Sequence, residues 1–221
     1  LTAGYSLYIG DGDYDVNNTW ILSTAGQSVT LSNGAKITQT VADIPTVQAT
    51  SLDNINIDGG IFFGKGSYTG ASQAGEKVIA LYDCTNSKIN TTIKNGANAG
   101  LYIDGCLNIS GKLLIEGTHT HGVPITSDQN FQNGVYIKHS LTYGNCNDVF
   151  LDVDISGVAQ GVLNEISNTY TAENHNIKIN GILHDIPGQH GIYCTTGGVT
   201  IDVLARDINL DGVKIQIGNV G

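Results

Sequence analysis

Val149-Phe-Leu-Asp-Val-Asp-Ile-Ser156, Ile177-Lys-Ile-Asn-Gly-Ile-Leu-His184 and Val199-Thr-Ile-Asp-Val-Leu-Ala-Arg206 are the stretches that decide the fold. In each, apolar or small residues alternate with mostly polar ones, and a period of two is the mark of a strand with one buried face. Aligned on one another, the inward positions are Val149, Leu151, Val153, Ile155, then Ile177, Ile179, Gly181, Leu183, then Val199, Ile201, Val203, Ala205. Apolar residues stack on apolar residues. Asn54-Ile-Asn-Ile-Asp-Gly-Gly-Ile-Phe-Phe-Gly64 fits the same frame, which places Ile55, Ile57, Gly59 and Ile61 inward.

Each alternating run is preceded by a shorter one that opens on glycine: Gly100-Leu-Tyr-Ile, Gly134-Val-Tyr-Ile, Gly161-Val-Leu-Asn, Gly191-Ile-Tyr-Cys and Gly212-Val-Lys-Ile, with Ala80-Leu-Tyr-Asp as an earlier member. The glycines lie 34, 27, 30 and 21 residues apart, so a unit of fixed length carries insertions, at 118–133, 139–148 and 166–175. One such unit cannot cover its own apolar face. Stability must come from stacking units at the strand spacing, giving an all-β solenoid of about eight rungs. A β-sandwich would lack the recurring template. The whole chain, 1–221, reads as one such domain, with 1–40 as its first rung and 41–221 as stacked rungs. The start at Leu1 and the finish just after a strand-like run suggest a piece of a longer polypeptide.

Composition agrees. Charged residues are 14%, glycine numbers 29 and methionine 0, a balance rich in turns and poor in helix formers. A formal net charge of −10 repels phosphate backbones and anionic membrane surfaces, so neither nucleic acid nor membrane is an expected partner. The sequence has no run of about 18 apolar residues and no basic segment leading an apolar one, and we read neither a membrane span nor a signal peptide. Cys84, Cys106, Cys146 and Cys194 follow neither CxxC nor zinc-type spacing and are expected to be buried thiols, with a disulfide as the alternative.

Asn54-Ile-Asn-Ile-Asp-Gly-Gly-Ile and Gly191-Ile-Tyr resemble the pectate-lyase-like right-handed parallel β-helices. Asp11-Gly-Asp-Tyr-Asp-Val-Asn-Asn-Thr-Trp-Ile-Leu22 with Ser28-Val-Thr-Leu-Ser-Asn-Gly-Ala-Lys-Ile37 resembles the opening rung of phage tailspikes of that class. The resemblance covers most of the chain and is one of fold. It implies a homotrimeric protein on the virion surface or otherwise extracellular, which binds or depolymerises a bacterial surface polysaccharide. Polygalacturonases of this fold carry paired aspartates and Gly-His-Gly. Here Gln189-His190-Gly191 matches only in part and Asp-Asp is absent, which argues against pectin hydrolysis.

Aligning the openings puts Tyr82, Tyr102, Tyr136, Leu163, Tyr193 and Lys214 on one outward ladder. Tyrosine faces stack on sugar rings while their hydroxyls reach water or a sugar oxygen, so the stripe suits a glycan groove; it equally suits burial under a neighbouring chain. Two positions on lies a polar ladder of Asp104, Lys138, Glu165, Thr195 and Gln216. Asp104 and Glu165 would stand two rungs apart, about 9.6 Å between backbones, near the separation of an inverting glycosidase pair. A solvated stripe with Lys138 bridging two acids is the competing reading. The expected site is therefore Glu165 and Asp104 as acid and base, with Tyr102, Tyr136, Lys138, His139 and Tyr193 binding substrate, enclosed by insertions that contribute His119, His121, Asp128, Glu173 and His175. No protein-bound metal is expected there, since His119 and His121 have no third ligand nearby. A second ladder, Asp58, Asp152, Asn180 and Asp202 with Lys112 among them, could share calcium, as pectate lyases of this fold do, or could simply satisfy turn amides; no other cofactor is implied. Two functions stay open, a depolymerase and a non-catalytic receptor-binding spike or adhesin.

Overall fold

The computed structural model describes residues 6–65, 76–117, 133–166, 173–195, 198–209 and 211–215. The chain begins with β1 (Ser6–Ile9), β2 (Gly12–Val16), β3 (Trp20–Leu22), β4 (Ser28–Gln39), β5 (Val47–Thr50) and β6 (Asn56–Phe63). It continues through β7 (Lys77–Tyr82), β8 (Thr85–Lys94), β9 (Ala99–Asp104), β10 (Leu107–Glu116), β11 (Asn133–His139) and β12 (Asn147–Ser156). The last strands are β13 (Gln160–Ile166), β14 (His175–Ile186), β15 (Ile192–Cys194), β16 (Val199–Ile208) and β17 (Val213–Ile215). No helix occurs among the described residues.

Long even-numbered strands, with β1 at the edge, stack in the order β1-β4-β6-β8-β10-β12-β14-β16, and β2 runs beside the second half of β4. Short odd-numbered strands stack as β3-β5-β7-β9-β11-β13-β15-β17 in an 8-stranded sheet. All pairings between these strands are parallel, each strand lying beside its counterpart one turn of the coil away. The fold is a right-handed parallel β-helix, the hand that parallel crossovers take almost without exception.

The core lies between the two sheets. Val149 pairs with Ile177, Leu151 with Ile179, Val153 with Gly181 and Ile155 with Leu183, the alignment that periodicity predicts. From the short strands, Leu101, Ile103, Val135, Ile137 and Val162 close the other side, all buried. Each such side chain removed from water contributes on the order of 1.5–3 kcal/mol. The opening glycines form a column of their own. A Cβ on Gly134 would lie 2.6 Å from Ile155 Cγ2 and 2.7 Å from the Gly161 carbonyl oxygen, so the short strand can turn against the core only where no side chain intervenes.

Two assignments change, one inward and one outward. Gly59 and Gly60, at φ +82° and +66°, insert a bulge into β6, and pairing with β8 slips between Asp58 and Ile61. The alternation inverts past that point, so Phe62 is wholly buried and Ile61 faces outward. Val78 takes the glycine position in β7, which pairs Ala80, not Tyr82, with Tyr102; Tyr82 falls beside Asp104.

The four cysteines are free thiols, and Cys84, Cys106 and Cys146 stack at one corner of the coil. The amide of Cys84 donates to Cys106 Sγ at 3.3 Å and that of Cys106 to Cys146 Sγ at 3.4 Å. One rung on, the Cys146 amide donates to Asn174 Oδ1, and Asn174 Nδ2 donates to Asn164 Oδ1, which links two amides sealed in the core and leaves Asn164 Nδ2 without a partner among the described residues. Outside the same corner, Asn54, Asn86, Asn108, Asp148 and Asn176 all take left-handed backbone. Asn108 Nδ2 donates to Asn86 Oδ1 and Asn176 Nδ2 to Asp148 Oδ1, so side chains that tolerate this conformation also tie successive turns together.

Candidate functional site

The outward face of the short-strand sheet carries a cleft of about 530 Å³. Its walls hold Tyr102, Tyr136 and Tyr193 with Lys138 and Glu165, five of the residues the sequence singles out. They meet because register keeps them in two adjacent columns: Tyr136 pairs with Tyr102 and Leu163, Leu163 with Tyr193, and Lys138 with both Asp104 and Glu165. Lys77, Asn133 and Gln160 complete the wall from the strand starts. The sequence reading misses these three because it treats the residues before each opening glycine as linker; their recurrence one place before Val78, Gly134 and Gly161 is the signal that could find them.

The rings run as a chain. Tyr143, Tyr82, Tyr102 and Tyr136 stand at centroid separations of 5.4, 5.5 and 5.2 Å, the last pair edge to face. Tyr102 is only 6% exposed, so it offers an edge to the cleft, while Tyr136 and Tyr193 are half-buried. Burial, then the charge of Asp104 or Glu165 beside each ring, pushes the Tyr102 and Tyr136 hydroxyls well above the usual phenol range and keeps them donors. Tyr136 donates to Glu165 Oε2, and Tyr102 donates to Asp104 Oδ2 at 3.2 Å.

The two expected catalytic carboxyls sit differently. Glu165 lines the cleft, whereas Asp104 is 4% exposed and is not among the lining residues. Burial raises the Asp104 pKa, opposed by the side chains of Ser140 and Tyr102 and by Lys138 and His139. His139 is also buried, at 4% exposure, and does not line the cleft, so its expected role in binding substrate is not supported by its position. Lys77 is pushed down to about 8 by burial and by the cation of Lys138, with Asp104 acting against them.

Of the three insertions, only 139–148 is described throughout. Residues 139–148 fold back through a bridge between Ser140 and Gly144, set Tyr143 against Tyr82 and cover Gly105. Glu173 and His175 are described and do not line the cleft. His119, His121, Asp128, Gln216 and most of 118–133 and 166–175 lie outside the described residues.

The second ladder forms as Asp58, Asn90, Lys112, Asp152, Asn180 and Asp202 on the long-strand sheet. Asn90 is held by both sides, donating to Asp58 Oδ1 at 3.0 Å and accepting from the Lys112 amide at 3.0 Å. Lys112 stands in the middle of this ladder, and no group of three or more His, Cys, Asp or Glu converges among the described residues.

These features define a right-handed parallel β-helix with an aromatic and amide-lined cleft on its short-strand face. No protein-family model matches the chain, and no curated protein matches it in sequence. Among solved structures it is similar to the surface adhesin PfbA of Streptococcus pneumoniae in two determinations. Both are 15% identical, with TM-scores of 0.71 and 0.68, over 92% and 89% of this chain and 55% and 56% of theirs. It is also similar to ORF18 of Geobacillus virus E2, at 12% identity and a TM-score of 0.59, over 95% of this chain and 52% of that one. The chain thus spans about half the length of these structures, and the likeness is one of fold.

Proposed function

We propose that the chain is the polysaccharide-binding portion of an extracellular or virion-surface β-helix protein, of the tailspike or adhesin kind. One observation carries this reading: Tyr136 and Tyr193 share one cleft with the amides of Asn133 and Gln160 and with Lys138 and Glu165. Aromatic faces for the apolar side of a sugar ring, beside paired donors and acceptors for its hydroxyls, are what glycan recognition needs. The fold shared with a pneumococcal surface adhesin and a viral protein supports the setting. The test is binding of capsule and lipopolysaccharide from a panel of hosts. Tyr136→Ala and Tyr193→Ala should each weaken binding about tenfold, equivalent to about 1.4 kcal/mol. Unchanged binding by both variants would remove the cleft from consideration.

Cleavage is the second reading, favoured by the raised pKa of Asp104 two rungs from Glu165. The roles are then the reverse of the sequence expectation: Asp104 donates the proton to the leaving oxygen and Glu165 activates water. Binding without cleavage ranks first because Asp104 does not line the cleft. Reducing ends and the absorbance of unsaturated sugars report turnover. Loss of at least about a hundredfold in Glu165→Gln and Asp104→Asn, with affinity kept, would establish cleavage by this pair.

Assembly as a homotrimer belongs to the same proposal. Phe150 and Leu204 are exposed at 38% and 63% on the outer face of the long-strand sheet, where a neighbouring chain would cover them. Light scattering that gives a monomer at micromolar concentration would oppose it.

A further inference from the structure

The chain carries only 10 Lys and Arg residues against 20 Asp and Glu, yet Lys77 and Lys138 line the short-strand cleft and Lys214 stands over Tyr193 at its edge. Lys77 Nζ lies 4.6 Å from the centroid of the Tyr102 ring, Lys138 Nζ 5.9 Å from that of Tyr136, and Lys214 Nζ 5.3 Å from that of Tyr193. A cation over a tyrosine face is held in place by the ring quadrupole without being neutralised. Two other lysines meet acids: Lys36 reaches Asp13 at 3.1 Å and Lys94 reaches Glu116 at 2.6 Å. None of the ion pairs among the described residues uses Lys138 or Lys214.

The carboxyls beside these lysines are engaged in other ways. Glu165 accepts from Tyr136, Asp211 lies 3.3 Å from His190 Nδ1, and Asp104 is sealed beneath the cleft and accepts from Tyr102. Burial, then the cation of Lys138, pushes the pKa of Lys77 down. An anion placed between them would relieve a repulsion built into the cleft. The lysines also follow the coil axis: Lys138 is two rungs above Lys77 and three below Lys214, about 10 and 14 Å along the stack. A polymer lying along the tyrosine column meets positive charge repeatedly.

We infer that the cleft selects an acidic polysaccharide, one whose repeating carboxylate or sulfate groups seat against Lys77, Lys138 and Lys214 while its sugar rings lie on Tyr136 and Tyr193. The inference rests on the glycan-binding reading above and names the substrate class within it. It runs against the overall charge of the chain, which repels a polyanion at long range. Lysine acts as a point charge without the planar geometry that tells carboxylate from sulfate, so both are included and the test separates them.

The test measures affinity of the full chain for four polymers: dextran, carboxymethyl-dextran, dextran sulfate and alginate. The first three share one neutral backbone, which isolates the charged group. The expected result is binding of at least one acidic polymer about tenfold or more tighter than dextran, weakening as salt rises. Lys138→Gln and Lys214→Gln alter half-buried residues and are expected to fold, which circular dichroism checks. Each should lower affinity for the acidic polymer several-fold more than it lowers affinity for dextran. Equal affinity for dextran and its acidic derivatives, abolished by Tyr136→Ala, would overturn the acidic selectivity and leave the glycan reading standing. Absence of binding to all four would overturn the acidic selectivity, and the host panel then decides the glycan reading. Acidic binding that the lysine variants leave unchanged would overturn the assignment to this cleft.

Discussion

Alanine at Gly181 measures how tightly the rungs are gauged against one another. Gly181 holds φ at +124°, and a Cβ built there would stand 1.9 Å from the carbonyl oxygen of Val153 on the preceding rung and 2.9 Å from its amide nitrogen. Two costs combine. A side chain in that backbone region costs about 1–3 kcal/mol, and pushing β14 from β12 to relieve the contact costs about 1–3 kcal/mol more. A total near 4 kcal/mol lowers the melting temperature of a chain this long by about 8–16 °C. Two other glycines separate the contributions. Gly144 has φ +85° and nothing within 4 Å of the added atom, so Gly144→Ala carries conformational strain alone, about 1–2 kcal/mol and a few degrees. Gly10 has open space and no left-handed φ, so Gly10→Ala should be neutral or stabilising by up to about 1 kcal/mol. Thermal melts followed by far-ultraviolet circular dichroism, with urea titrations alongside, give the order. Gly181→Ala melting within about 2 °C of the parent, or above Gly144→Ala, would refute the reasoning.

Asp104→Asn should stabilise the protein at neutral pH by about 1 kcal/mol, because a carboxylate is held where burial disfavours it. A carboxyl whose folded pKa is raised binds its proton earlier in the native state, so its penalty is full above the folded value and fades as pH falls through it toward 3.8. The advantage of the amide variant over the parent must therefore shrink on acidification; an advantage that grows would contradict the assignment. Leu151→Ala, at a fully enclosed ladder position, should cost about 2–5 kcal/mol in urea unfolding, and a loss under about 1 kcal/mol would mean the two sheets are not packed as described. Cys146 and Cys194 should resist a thiol reagent at pH 8 in the native protein and react only on unfolding, since burial raises the Cys146 thiol to about 12 and that of Cys194 to about 11. Rapid native labelling of either would refute that enclosure.

The architecture is legible where one rule governs a whole strand. From Val149 to Ser156 and from Ile177 to His184 the period of two is unbroken until Gly181, and even there the column holds because a glycine occupies an inward place. The rule fails at Gly59 and Gly60, where an inserted residue reverses the faces of Ile61 and Phe62. Nothing in the local alternation distinguishes a bulge there from a regular strand. Tyr82 is displaced for a related reason, since the opening glycine that marks the other rungs is Val78 in β7. The cleft is half legible: columns follow from alignment, which is why Tyr102, Tyr136, Tyr193, Lys138 and Glu165 converge. Burial of outward residues does not follow from alignment. Asp104 and His139 are covered by packing between columns and by the fold of 139–148, and those contacts come from residues distant in sequence.

Variable spacing between the opening glycines has a consequence for how such a chain can change. Pairing from β9 to β15 stays in register while the segments joining the rungs differ in length, so the scaffold is indifferent to what is inserted at its turns. Closing a longer flexible loop costs little, about 0.6 kcal/mol for each doubling of length. New chemistry can therefore be tried at the rim of the cleft by lengthening or replacing one connection, with the stacked interior carrying almost none of the consequence. Selection on what the surface recognises and selection on whether the chain folds act here on different residues.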